Sequence, residues 1–304
     1  MEALLRFIVK GRTQGVTAAS AAFVLAFLLP PLLSVSGAIV GLFTLRHGIL
    51  EGGLILTGTT LLAGAATFGL LHSVGPALVF VLTTGIPALI LAEVLRRTAS
   101  QGVALALAGV GTGLAVLGFY LVVDDPVAWS RELLQQAFVE PMSSRPDGDA
   151  RALATLERWA DHFAPALPYF MTAAALIGAM AVLWLARWAH AVLDNPGGFG
   201  REFRELRLPR PTAWVALALA ALALVTGGAS GGVLASLVML AVVLYAIQGL
   251  SLAHAVVRAR SLSVAWLWVL YVLLVVTREA TFALAIAGLS DSWLDFRARF
   301  RPRT

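Results

Sequence analysis

The chain has 304 residues, 59% of them hydrophobic and only 13% charged, with a formal net charge of +5 and no cysteine. Soluble domains usually carry about 25% charged residues, so this composition excludes an ordinary soluble globule, and the lack of cysteine excludes disulfides, thiolate metal sites and cysteine nucleophiles. The positive charge does not point to nucleic acid: the basic residues sit at the ends of hydrophobic runs, the pattern of membrane topology signals, and form no single patch.

In chain order, "MEALLRFIVKGR" is too charged, and its apolar run too short, for a cleavable signal peptide, so the first span is expected to act as the targeting signal. Hydrophobic segments follow at about 16–29, 32–45, 52–71, 75–95, 101–122, 167–192, 212–227, 231–256, 262–277 and 280–290. A helix needs roughly 20 apolar residues to cross about 30 Å of hydrocarbon. Stretches such as "ALALAALALV" are apolar on every side, unlike the alternation of a membrane β-strand. The expected fold class is all-α: a polytopic integral membrane helix bundle, 1–304 as one transmembrane domain in the lipid bilayer.

Pro30 and Pro31 interrupt the first run, and Arg278 and Glu279 the last. Proline removes a backbone donor and clashes with the preceding turn, which leaves either a kinked helix or a turn. The positive-inside rule decides for a turn. With a turn at Pro30-Pro31, the arginines at 6, 12, 46, 96, 97, 201–210, 258 and 260 all fall on one, cytoplasmic, side. The same reasoning makes Arg278-Glu279 an outer turn and places both termini in the cytoplasm.

The connection 123–166 holds 8 acids and four arginines, a net charge of −4 against +9 for the rest of the chain, and is expected outside as a helical cap. Val127, Leu133, Leu134 and Phe138, then Leu153, Leu156, Trp159 and Phe163, have the spacing of two amphipathic helices, with "EPMSSRPDGD" as the loop between them.

The stretch "DNPGGFGREFRELRLPR" concentrates four arginines and two glutamates in a cytoplasmic loop at 194–211. Phe199, Phe203 and Leu206 fall at i, i+4 and i+7, with Arg201, Arg204 and Arg207 beside them. This reads as an amphipathic helix in the membrane interface, its arginines towards anionic headgroups. The tail repeats the arrangement with Trp293, Phe296 and Phe300 beside Arg297, Arg299, Arg301 and Arg303. Anchoring to lipid explains both segments; docking of a partner is the alternative.

Polar side chains within spans are costly and therefore candidates for function. Arg187, His190 and Asp194 lie at i, i+3 and i+7 and suit either anion binding or proton relay, or interface snorkelling. Tyr245, Gln248, Ser251 and His254 form a second stripe, lining a cavity or bonding between helices. Arg46-His47 with Glu51, and Glu93 with Arg96 and Arg97, read as local ion pairs. The five histidines show no metal-ligand spacing, and neither a phosphate loop nor a Gly-x-Ser-x-Gly elbow is present. No metal, no cofactor and no enzyme activity are expected.

"PPLLSVSGAIVGLFTLRHG", "NPGGFGREFRELRL" and "GLSDSWLDFRAR" together resemble the YybS-like family of bacterial membrane proteins, a domain of unknown function, over nearly the whole chain. That family is grouped with the S components of energy-coupling-factor vitamin transporters and with the rod-shape protein MreD. The resemblance implies a compact helical fold with an S-component-like core in the bacterial cytoplasmic (inner) membrane. It also implies one of two roles: binding a small solute, of unknown identity, for uptake with a membrane partner subunit, or a non-transporting MreD-like scaffold. S components dock their partner through an Ala-x-x-x-Ala ladder on the first helix, which Ala18, Ala22 and Ala26 match; such ladders also pack helices internally.

Overall fold

The computed structural model describes residues 2–143, 149–227 and 232–300, and among these every regular element is helical. Part of the expected loop, including Asp147, and Arg301 and Arg303 of the tail lie outside the described residues. The helices are α1 (Glu2–Ile8), α2 (Arg12–Leu25), α3 (Leu32–His47), α4 (Ile49–Leu71), α5 (Gly75–Phe80), α6 (Ile86–Thr98), α7 (Gln101–Val122) and α8 (Pro126–Leu134). They continue as α9 (Glu140–Ser143), α10 (Ala150–Phe163), α11 (Leu167–Asp194), α12 (Gly198–Glu205), α13 (Arg210–Val225), α14 (Gly232–Ala259), α15 (Ala265–Val276) and α16 (Arg278–Leu294), with a 3₁₀ turn at Phe296–Phe300.

Each of the ten expected apolar segments is mainly helical among its described residues. Five are long and apolar enough to cross a membrane: Ile49–Leu71, Gly75–Thr98, Gln101–Val122, Leu167–Asp194 and Gly232–Ala259, with up to seven if bent pairs count as one span. Pro30-Pro31 separates α2 from α3, so the first run is two helices. The last run is also broken: α15 and α16 are bent by 119° at Thr277, whose backbone is extended, and Arg278 and Glu279 pair there in full exposure, 3.1 Å apart.

Two prolines sit inside helices by the same device. A π turn at Val81–Gly85 precedes Pro87, and another at Gln135–Val139 precedes Pro141. The widened turn moves the carbonyl that the proline ring would strike, and it removes the need for the proline's missing N–H. As a result α8 runs on through Glu140–Ser143, where the sequence suggested that a loop had already begun.

The chain divides into two compact units, and α7, α11 and α14 each contribute to both. The first unit (1–108, 177–210 and 245–304) has a core in which Ala19 and Phe23 of α2, Val40 and Phe43 of α3, Ile55 of α4 and Phe80 of α5 interlock. Arg12 pairs with Glu51 and Arg46 with Asp194, the latter at 3.2 Å. These contacts bring the start of α2, the end of α3, the start of α4 and the end of α11 to one end of the unit. They also replace the local pairing expected of Arg46 and Glu51. Glu93, by contrast, does pair locally, accepting from Arg96 at 2.9 Å and from Arg97 at 2.5 Å. In the same unit α14 and α16 touch backbone to backbone: a Cβ at Gly249 would strike the Leu284 carbonyl, and one at Gly288 the Tyr245 carbonyl.

The second unit (109–176 and 211–244) contains the two cap helices. Asp125 caps α8 by accepting from the N–H groups of Val127 and Ala128, with Pro126 at the first helical position, and Asp149 caps α10 through Arg151 N–H. Leu134, Ala160 and Ala164 bury themselves between the helices, Arg131 and Asp161 pair at 2.7 Å, and Phe138 meets Trp159 edge-on at 5.4 Å. In the same unit Tyr120 of α7 reaches Ser236 of α14 at 3.3 Å, and Gly113 of α7 gives room to Leu240.

Candidate functional site

The polar residues of the first unit form two clusters. In one, Arg187 is 7% exposed and grips Glu202 of α12 with two parallel hydrogen bonds, Nε to Oε2 at 2.8 Å and Nη2 to Oε1. Gln101 donates to the same carboxylate at 3.5 Å and accepts from the Trp184 indole at 3.1 Å. One turn on, His190 Nε2 faces Asp194 at 3.4 Å, and Asp194 is shared with Arg46. Arg187, His190 and Asp194 therefore do lie along one face of α11, but their charges are occupied by Glu202 and Arg46. Arg187 Nη1 and His190 Nδ1 are buried with no hydrogen-bond partner among the described residues.

The second cluster is built on the α14 stripe. Gln248 is fully buried; its Oε1 accepts from Leu208 N–H at 2.8 Å, and its Nε2 donates to the Gly288 carbonyl at 2.7 Å and to Ser292 at 3.3 Å. Ser251 donates to the Phe203 carbonyl at 2.7 Å. His254 Nδ1 lies 2.9 Å from the Leu250 carbonyl, which puts its proton there and leaves Nε2 to accept from the Tyr271 hydroxyl at 3.3 Å. Tyr245 is 2% exposed. The stripe ties the 206–208 segment and α16 to α14.

Arg297 completes this cluster. It donates to the carbonyls of Arg204 (2.7 Å) and Leu206 (2.9 Å) and to Ser251 (3.1 Å), and it lies 3.3 Å from Asp291, itself 1% exposed. Burial pushes the Arg297 guanidinium pKa down, against the pull of Asp291. Arg207 is held above its ordinary value by its hydrogen bond to Asp295.

The interfacial segment thus differs from its expected setting. Leu206 is only 2% exposed, and Phe203 packs edge-on between Trp184 and His254, with centroids at 5.4 and 5.3 Å. Protein, not lipid, covers this part of the apolar face, because α12 is drawn in by Glu202 and by its own carbonyls. The Arg297 side chain is likewise inside, 11% exposed, and donates to backbone oxygens of the same unit. Phe199, Arg204 and Phe296 are half-buried, while Arg201, Arg207 and Trp293 are exposed. The alanine ladder turns inward as well: Ala22 is 8% exposed, Ala18 packs on the core, and Ala26 is half-buried.

A pocket of about 190 Å³ lies in the second unit, between α7 and the start of α11. Its wall is apolar apart from the hydroxyls of Thr112, Tyr120 and Thr172. Phe119, which lines it, also meets Trp129 of the cap edge-on at 5.1 Å. None of these residues stood out in the sequence, where they read as ordinary members of apolar spans. Among the described residues no three His, Asp or Glu side chains converge as a metal site would require.

Helices of this length carrying fully lipophilic outer faces, such as Leu61 (69% exposed), Leu121 (85%) and Val275 (88%), belong in hydrocarbon. The family model described as "Predicted membrane protein (DUF2232)" matches residues 17–292. The chain belongs to this family. It is an integral, multi-pass membrane protein. No curated protein and no solved structure matches it.

Proposed function

We propose that this DUF2232 protein binds a small, mainly apolar solute in the pocket of its second unit, in the manner of an S component working with partner subunits. The observation that carries the reading is the pocket itself: apolar walls with three hydroxyls, the composition of small-molecule sites. Its coupling to the cap through Phe119 and Trp129 gives occupancy a way to order α8. On this reading the role is binding, not catalysis, and the residues are Thr112, Tyr120 and Thr172. The polar stripes of α11 and α14 hold the fold. The cap faces outward and the arginine-rich end lies in the cytoplasm of a bacterial inner membrane, the orientation that the charge split favours. An MreD-like scaffold is the second reading, favoured by the broad exposed apolar face of α15.

The test is mass spectrometry of small molecules extracted from the purified protein and from an Ala175→Phe variant, in which a bulky ring fills the pocket. A compound enriched in the wild type and lost from the variant is expected. Equal recovery from both, or no enriched compound in the wild type, overturns solute binding and leaves the scaffold.

A further inference from the structure

Three hydroxyls line the pocket between α7 and the start of α11, and they are not equivalent. Thr172 donates to the Pro168 carbonyl at 2.8 Å, and Tyr120 shares a bond with Ser236 at 3.3 Å. The Thr112 side chain has no hydrogen-bond partner among the described residues. Threonines in other helices, such as Thr57, Thr60 and Thr83, bond back to the carbonyl four residues earlier. That acceptor is within reach of any helical threonine. Thr112 does not use it, and so keeps both a donor and an acceptor for whatever enters the pocket.

The remaining wall limits what can accompany that polar group. No charged side chain is among the lining residues. At the cap end, Phe119 meets Tyr120 edge-on at 5.5 Å and Trp129 of α8 at 5.1 Å. Ala115 and Ala175, further along, are exposed. They lie about 10 Å before the end of α7 and about 12 Å after the start of α11, at 1.5 Å per residue. Both depths fall inside one half of a hydrocarbon layer about 30 Å thick. The open side of the pocket therefore meets lipid tails, where a charge would have no partner. Size narrows the choice again: an apolar cavity of about 150 Å³ holds benzene, and this pocket measures about 190 Å³.

On the solute-binding reading above, we infer that the solute is a neutral, ring-sized compound that partitions into the bilayer, with its hydrogen-bonding group on Thr112. The aromatic walls suit a ring, which packs edge-on or offset against them. An acyl chain would enter from the same side, but it would leave the Thr112 hydroxyl unpaired away from water, which is costly.

Dialysis of the protein in phosphatidylcholine nanodiscs against naphthalene, naphthol or naphthoate tests the class. Ala175→Phe discs, in which the pocket is filled, give the background taken up by lipid. Naphthol is expected to bind the wild type above that background, and naphthoate is not. Thr112→Val, which keeps the shape and removes the hydroxyl, should weaken naphthol about fivefold and leave naphthalene unchanged. Both variants should melt with the wild type. Naphthoate bound as well as naphthol, or naphthol unaffected by Thr112→Val, overturns the inference and leaves the pocket a solute site. Uptake of all three probes at the Ala175→Phe background overturns it too. A compound still enriched by mass spectrometry would in that case keep solute binding standing, whereas none would remove both.

Discussion

The cap and the α12 segment look alike on paper: each is short, amphipathic and rich in charge. In the structure they are held in opposite ways. The cap helices α8 and α10 close on a small apolar core of Leu134, Ala160 and Ala164, and their ion pair, Arg131–Asp161, is about half exposed on both sides. The α12 segment is held by buried polar groups: Glu202 on Arg187, the backbone of Phe203, Leu206 and Leu208 on Ser251, Arg297 and Gln248. The reason lies in the linker that follows α12. A non-helical segment packed against α14 and Gly102 carries backbone groups that must find partners, and at Gly102 there is no room even for a Cβ beside the Arg207 carbonyl. The cap helices satisfy their own backbones and need only an apolar contact. Charge in a segment therefore says little about what anchors it.

The comparison predicts where each region is vulnerable. The largest effect is expected for Asp291→Ala, which strips the buried Arg297 of its counter-charge; breaking one side of a buried pair costs about 3–5 kcal/mol. Hydrogen exchange should rise at Leu206 and Leu208 while the cap amides stay protected. Similar protection at 206–208 before and after would mean that the polar anchor contributes little.

Leu134→Ala should come next, costing about 2–5 kcal/mol as a large-to-small core change and towards the lower figure because the cap core is small. Here the exchange pattern should reverse, with Val127 to Ala164 loosened and 206–208 unaffected. Faster exchange in both regions would show that the two are not separately anchored.

Arg131→Ala should be the mildest, about 0–1 kcal/mol, since an exposed ion pair gains little against water. A melting shift as large as that of Leu134→Ala would show the cap to be held by charge after all.

Much of this protein was legible in one dimension. A run of apolar residues long enough to span a bilayer has no alternative to a helix, because every backbone group must be satisfied within the segment. That is why the helices of all ten apolar segments fall close to where hydropathy puts them. The Pro30-Pro31 break is equally local, since proline geometry needs no distant partner.

What hydropathy could not reveal is which side of an apolar helix meets protein and which meets lipid, because both are apolar and the residue scale is blind between them. Only the packed structure turned the Ala22 ladder inward, drew Leu206 off the membrane surface and hollowed the pocket beside Thr112. The partners of the buried polar groups were equally out of reach. Gln248 bonds residues 40 positions away on either side, and Gln101 meets Glu202 across 101. Such pairs are made by tertiary packing, and no local spacing in the chain encodes them.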